Sequence, residues 1–292
     1  QWQAAQVAEL RNSPVLLLAA VSAVAIVVAA LTFLFDRRPV LLPVLILVAL
    51  PFRIPLEVGG ENANLLLPLY LVTAAGVLVS AHRQWFSSQT RSSGAPHSTG
   101  PSSAGLWMKS LLAASVLLYA IGLIYSGNQS QGLLNFCFFL VPFALVFALM
   151  IDVDWGPRTL RVAIRTVIGV ALVWAVVGFV EYQLRELLWN EVVIRSNDFN
   201  VYFRVNSLFW DPNIYGRYLA LVITVVAAAL LWSRKYRDAI ALAAVSAILW
   251  LALITTFSQS SFIALLAGLA TLVALRWNVK LVLGGLGGLN LV

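Results

Sequence analysis

Residues 203–218 concentrate the side chains best suited to chemistry: Phe203, Arg204, Val205, Asn206, Ser207, Leu208, Phe209, Trp210, Asp211, Pro212, Asn213, Ile214, Tyr215, Gly216, Arg217 and Tyr218. Asp211 before Pro212 predicts a helix start, with the carboxylate as cap and the proline in the first turn. That accounts for the Asp-Pro pair without invoking function. It does not account for two arginines, Arg204 and Arg217, flanking the same start. A guanidinium offers a planar fork of donors matched to a phosphate. A helix N-terminus adds its own preference for anions. On residue types alone, Arg204 reads either as a ligand for an anion or as a side chain snorkelling at a membrane surface.

The other polar features have plainer readings beside any functional one. Arg53, Glu57 and Glu61 form a short charged segment that either lines a cleft with the arginine motif or is a solvated loop. Asn128, Gln129 and Gln131 read as a polar turn. Trp107, Trp155, Trp189, Trp210, Trp232 and Trp277 fall near the ends of apolar runs, as an interfacial aromatic belt requires. Trp210 stands apart because it lies inside the motif. Cys137 is the single cysteine, so no intramolecular disulfide can form. The two histidines, His82 and His97, are too few and too far apart to bind a metal. Gly284-Gly285 and Gly287-Gly288 would permit close helix packing.

The elements that carry these residues are apolar helices. The 292 residues are 61% hydrophobic and only 11% charged, and the mean hydropathy is +0.90. A soluble domain carries roughly a quarter charged residues, so a soluble fold could not bury this chain. The expected class is all-α: a polytopic transmembrane helix bundle in one domain over 1–292, with about nine spans of membrane-crossing length. They fall at 14–35, 40–52, 65–81, 111–125, 132–150, 162–180, 213–232, 239–257 and 261–277. The run 281–292 reads as the start of a tenth, and Gln1 opens the chain without a Met, so the sequence reads as part of a longer protein. No β-sheet is expected, since backbone polar groups in lipid must be satisfied within each helix. Residues 87–105 are rich in Ser, Gly and Pro and carry no acid, which predicts a flexible linker. Residues 181–212 form a polar segment. In it Leu184, Leu187, Leu188 and Val192 recur at helical spacing, predicting an interfacial helix from about Tyr182.

Cytoplasmic loops retain Lys and Arg. Alternate connections carry Arg37 and Arg38, then Arg83, Arg91 and Lys109, then Arg158, Arg161 and Arg165, then Arg234, Lys235 and Arg237, then Arg276 and Lys280. That set is assigned to the cytoplasm, which places 53–64, 181–212 and 256–260 outside. The net charge of +7 is thereby an orientation signal, and its scatter in ones and twos between spans argues against nucleic acid as a partner.

The run Arg204-x-x-Ser207-x-Phe209-x-Asp211-Pro212-Asn213-x-x-Gly216-x-Tyr218-Leu219 resembles the R-x-x-(G/S)-x-F-x-(N/D)-P-N signature of the bacterial O-antigen ligase and polymerase family. About forty residues later, after one helical hairpin, that family carries a T-x-S-R-(G/S)-(A/S) turn. This chain has Thr256, Phe257, Ser258, Gln259, Ser260 and Ser261 there, with Gln259 at the family's Arg position. The resemblance implies a multi-pass membrane glycosyltransferase of the bacterial plasma (inner) membrane, at work in polysaccharide biosynthesis of the cell envelope. Its donor would be a glycan linked to a polyprenyl (undecaprenyl) diphosphate, its acceptor a lipid or a glycan, with neither nucleotide nor metal as cofactor. Arg204 and Gln259 would occupy catalytic positions, and Trp210, Asp211, Asn213 and Arg217 would bind substrate.

That chemistry suits an outward-facing motif, where neither ATP nor a nucleotide sugar is at hand. The leaving group is a lipid diphosphate, so arginines that stabilise its growing charge are the expected electrostatic catalysts. The family's general base is a His in a later external loop. Both histidines here lie near the predicted cytoplasmic linker, so a chain ending at Val292 is expected to be inactive. The competing reading is a transporter of a lipid-linked or anionic solute. It predicts ionisable residues at mid-membrane depth, which the centres of most of these spans lack.

Overall fold

The computed structural model describes residues 14–52, 54–58, 61–90, 103–187 and 190–276. In chain order the helices are α1 (Pro14–Arg37), α2 (Leu41–Ala49), α3 (Leu67–Thr90), α4 (Ser103–Ile124), α5 (Gln129–Ile151), α6 (Pro157–Leu184), α7 (Glu191–Phe199), α8 (Pro212–Leu231), α9 (Tyr236–Thr256) and α10 (Gln259–Arg276). Seven of them, α1, α4, α5, α6, α8, α9 and α10, are long and apolar enough to cross a membrane. The chain is a multi-pass membrane protein.

About nine spans were expected, and the two missing from this set have physical reasons. Helix α2 has 9 residues, about 14 Å at 1.5 Å per residue, against a ~30 Å hydrocarbon core. Helix α3 is apolar only as far as Ala81, then runs on through His82, Arg83 and Gln84. The run 281–292 expected to open a tenth span lies outside the described residues, as do Arg53, His97, Leu188, Trp189, Trp277, the paired glycines at 284–288 and the centre of the linker, 91–102. Both ends of that linker are helical, in α3 and α4.

The polar connection after α2 departs from helix. Its backbone pairs in a hairpin of β1 (Ile54–Val58) and β2 (Glu61–Leu65), antiparallel, with Ile54 opposite Leu65 and Val58 opposite Glu61. Gly59-Gly60, between them in sequence, is the residue pair that two-residue hairpin loops prefer. The side chains of Glu57 and Glu61, candidates for lining a cleft, lie outside the described residues.

The chain folds as two compact units, Gln1–Ala163 and Ile164–Val292. The first has a core of Phe35, Ile46, Leu66, Leu69, Val72, Ala75, Val79 and Val146. Gly76 sits where a Cβ would lie 2.8 Å from a Leu149 methyl and 2.9 Å from a Leu42 methyl, so its lack of a side chain lets α3 approach both neighbours. Charges meet at one end of this unit. Arg83 bonds the Asp36 carboxylate at 3.3 Å and the carbonyls of Phe35 and Asp36 at 3.2 and 3.1 Å, satisfying the C-terminal carbonyls of α1. Lys109 pairs with Asp152 at 2.5 Å. These two pairs tie the end of α3 to the end of α1, and the start of α4 to the residue after α5.

Helix α5 contains a π-helical turn, Phe136–Leu140, just before Pro142. Proline has no N–H to return to the Phe138 carbonyl four residues earlier. The Tyr70 hydroxyl donates to that carbonyl at 2.6 Å. In a membrane span, where water cannot serve, a freed carbonyl needs such a partner. The polar turn before α5 is a helix cap: the Asn128 side chain accepts from Gln131 N at 3.2 Å.

The second unit packs α8, α9, α10 and the latter part of α6 around Trp174, Phe209, Tyr215, Leu219, Val222, Ile223, Leu249, Leu253 and Leu265. The interfacial helix expected from Tyr182 to about Val193 is not formed there. Helix α6 runs through Tyr182 and stops at Leu184, because Arg185 turns left-handed (φ 57). Its guanidinium lies over the rings of Tyr182 and Phe203, at 4.6 and 5.4 Å. Asn190, also left-handed, caps a new short helix by accepting from Val192 N at 3.1 Å. The apolar spacing was present, but the capping residue governs where the helix restarts.

Candidate anion site

Helix α8 begins as the Asp-Pro pair predicts. Asp211 Oδ1 accepts from Asn213 N at 2.6 Å and Ile214 N at 3.3 Å, with Pro212 in the first turn. Ahead of it, 204–209 wrap across the unit as an irregular segment tied down at each step. Val205 N donates to Thr255 O at 3.1 Å. Asn197 clasps the Arg204 backbone from both sides, accepting from its N and donating to its O, each at 3.0 Å. Ser207 adopts φ 51, a left-handed conformation that favours glycine. Its N–H donates to the buried Glu181 carboxylate at 2.7 Å and its hydroxyl to Trp174 O at 2.8 Å, and these bonds offset the strain. Phe209 anchors the segment among Trp174, Tyr215 and Tyr218, with ring centroids 5.3–6.2 Å away.

The result is a half-buried Arg204 guanidinium in a fixed pose. Its Nε donates to Thr256 O at 3.2 Å and its Nη2 to Asn213 Oδ1 at 3.1 Å. One side chain therefore joins two stretches of sequence some fifty residues apart. With these two bonds made, a guanidinium still has N–H groups, those of Nη1 above all, to give to a ligand.

The second stretch, 256–261, gathers four hydroxyls, with Thr256, Ser258 and Ser261 buried and Ser260 exposed. Ser258 Oγ lies 2.7 Å from Ser261 Oγ and 3.4 Å from Ser260 Oγ. Thr256 Oγ1 accepts from Ser258 N at 3.3 Å, and Ser261 Oγ reaches Asn213 O at 3.5 Å. Gly216 makes room for it. A Cβ there would lie 2.6 Å from Ser261 Oγ and 3.0 Å from both Ser258 Cβ and Thr256 Oγ1.

Among the residues singled out from sequence, the fold brings Arg204, Asp211 and Asn213 together. Arg217 is exposed on α8, one turn beyond Asn213, and Gln259 is exposed at the start of α10. Among the described residues no hydrogen bond ties either side chain to Arg204. Trp210 contributes its carbonyl, which accepts from Asn190 Nδ2 at 2.7 Å. Sequence reasoning missed Asn197 and Glu181, and it placed Ser207 and Thr256 in the motif runs without a role; all four hold Arg204 or its loop. Asn197 carries no pattern that could have revealed it, whereas the match of Ser207 to a Gly/Ser position was a hint of left-handed backbone.

The arrangement can bind an anion and stabilise negative charge that develops beside it. Comparisons of the chain with protein-family models, with curated proteins and with solved structures found no match.

Proposed function

We propose that the protein is a membrane glycosyltransferase resembling the O-antigen ligases and polymerases, acting at the outer face of a bacterial plasma membrane. The donor is a polyprenyl-diphosphate-linked glycan and the acceptor a lipid or glycan. Arg204 binds the diphosphate and stabilises the charge it gains as the glycosidic bond breaks. The observation that carries this reading is the clamp on Arg204. A guanidinium fixed by Thr256 O and Asn213 Oδ1 is preorganised for a phosphate, whereas a snorkelling arginine has no need of either bond.

In the full-length protein, Arg204→Ala should abolish glycan transfer while expression and membrane insertion persist. Arg204→Lys should restore little, since an ammonium cannot hold both bonds and present a fork. Gln259→Arg should preserve transfer or raise it. Wild-type transfer by Arg204→Ala would return Arg204 to an interfacial role.

A further inference from the structure

We propose that Tyr202 and Phe257 form a carbohydrate platform that seats a pyranose ring of the donor glycan beside Arg204, an inference that rests on the transferase reading above. The two rings stack with centroids 4.8 Å apart and planes 29° apart. Both are partly exposed, Tyr202 at 45% and Phe257 at 41%. Both are chain neighbours of the anion centre. Tyr202 lies two residues before Arg204, and Phe257 follows Thr256, whose carbonyl accepts from Arg204 Nε.

Phe257 is the C-cap of α9, where the chain turns left-handed, but that turn does not call for an aromatic side chain. Phe257 holds φ 49, which Gly or Asn adopts with less strain. A large aromatic kept in that conformation, one face on Tyr202 and the other side of the pair open, points to use of the open side. The residues around it say what it would meet. Gln259 and Ser260 are exposed just beyond Phe257, and Ser258 and Asn213 belong to the same turn and helix start. A pyranose has an apolar C–H face and a hydroxyl edge. An aromatic face carries partial negative charge toward those C–H groups, while amide and hydroxyl side chains at the rim suit the edge. A polyprenyl chain would call for an apolar rim instead. Phe199 and Val201, exposed beside Tyr202, supply the rival occupant, a lipid chain.

The test uses the full-length protein in nanodiscs, with two readouts: transfer kinetics on a polyprenyl-diphosphate-linked oligosaccharide, and binding of glycan-free undecaprenyl diphosphate. Tyr202→Leu and Phe257→Leu keep apolar bulk but lose the flat face. Each should raise KM for the oligosaccharide donor by about 2- to 10-fold and leave glycan-free binding unchanged. Phe257→Trp should keep KM near wild type. Phe257→Gly relieves the strain but loses the stack on Tyr202, so its melting temperature should stay near wild type while KM shows the same rise. Unchanged KM in both Leu variants, with Arg204→Ala inactive, would overturn the platform and leave the transferase reading standing. Equal loss of glycan-free binding would reassign the rings to the lipid chain. Full transfer by Arg204→Ala would remove the transferase reading and the platform together.

Discussion

Asn213→Asp separates anion binding from folding. The Asn213 side chain accepts from Arg204 Nη2 at 3.1 Å, so the substitution puts a carboxylate directly against the guanidinium. A phosphate bound to the opposite edge of Arg204 would then lie about 7 Å from the new charge. At an effective dielectric of about 20 the repulsion is about 2–3 kcal/mol for each ligand charge. That corresponds to roughly a 30- to 150-fold loss of affinity for a single ligand charge, a lower bound for a diphosphate. Stability should hardly move. A carboxylate in the first turn of α8 gains roughly 0.3–1 kcal/mol from the helix dipole. Pairing with a half-buried arginine adds a similar amount, about 0–1 kcal/mol. The neighbouring Asp211 carboxylate, whose Oδ1 is 2.6 Å from the backbone N of Asn213, opposes both through like charge. Binding of undecaprenyl diphosphate to the protein in nanodiscs, measured beside thermal unfolding, reads the two quantities apart. Wild-type affinity in Asn213→Asp would refute a diphosphate on Arg204. A loss of affinity matched by a loss of melting temperature would show that Asn213 acts through packing alone.

Tyr70→Phe should cost about 1–3 kcal/mol by stranding the Phe138 carbonyl, and the cost should shrink in a Pro142→Ala background, where a backbone N–H returns; equal costs in the two backgrounds, by denaturant or thermal unfolding, would refute that account of the π-helical turn. Gly216→Ala should destabilise by about 1–3 kcal/mol, because its Cβ would crowd Thr256, Ser258 and Ser261 at once, and transfer should fall with it; an unaltered melting temperature would show that the contact yields freely. With Cys137 replaced by Ser, a cysteine at Asp198 or Asn200 should react with an impermeant label applied to intact cells, and one at position 95 should not. The reverse pattern would invert the orientation on which the outward-facing site depends.

The helical spans were legible because the requirement they meet is one-dimensional: a helix in lipid satisfies its own backbone, so length and apolarity along the chain suffice to mark it. The start of α8 was legible for the same reason, since Asp211 caps the N–H groups of Asn213 and Ile214, two and three residues on. Where helices restart was less so. Leu184, Leu187, Leu188 and Val192 carry a helical period, yet left-handed Arg185 and the Asn190 cap divide it, and what stabilises the break at Arg185 is its packing on the rings of Tyr182 and Phe203. The site lay furthest from view. Arg204 could be named from its motif, but its meaning depends on Thr256, fifty-two residues on, and on Asn197, which no spacing links to it. Sequence by itself determined that the chain is built of apolar helices, seven of them of membrane-crossing length, and which arginine stands at a helix start, because those are local demands of backbone and solvent. Only the tertiary structure decided that this arginine is clamped, since a guanidinium is oriented by acceptors brought to it through folding, and chain distance carries no record of that approach.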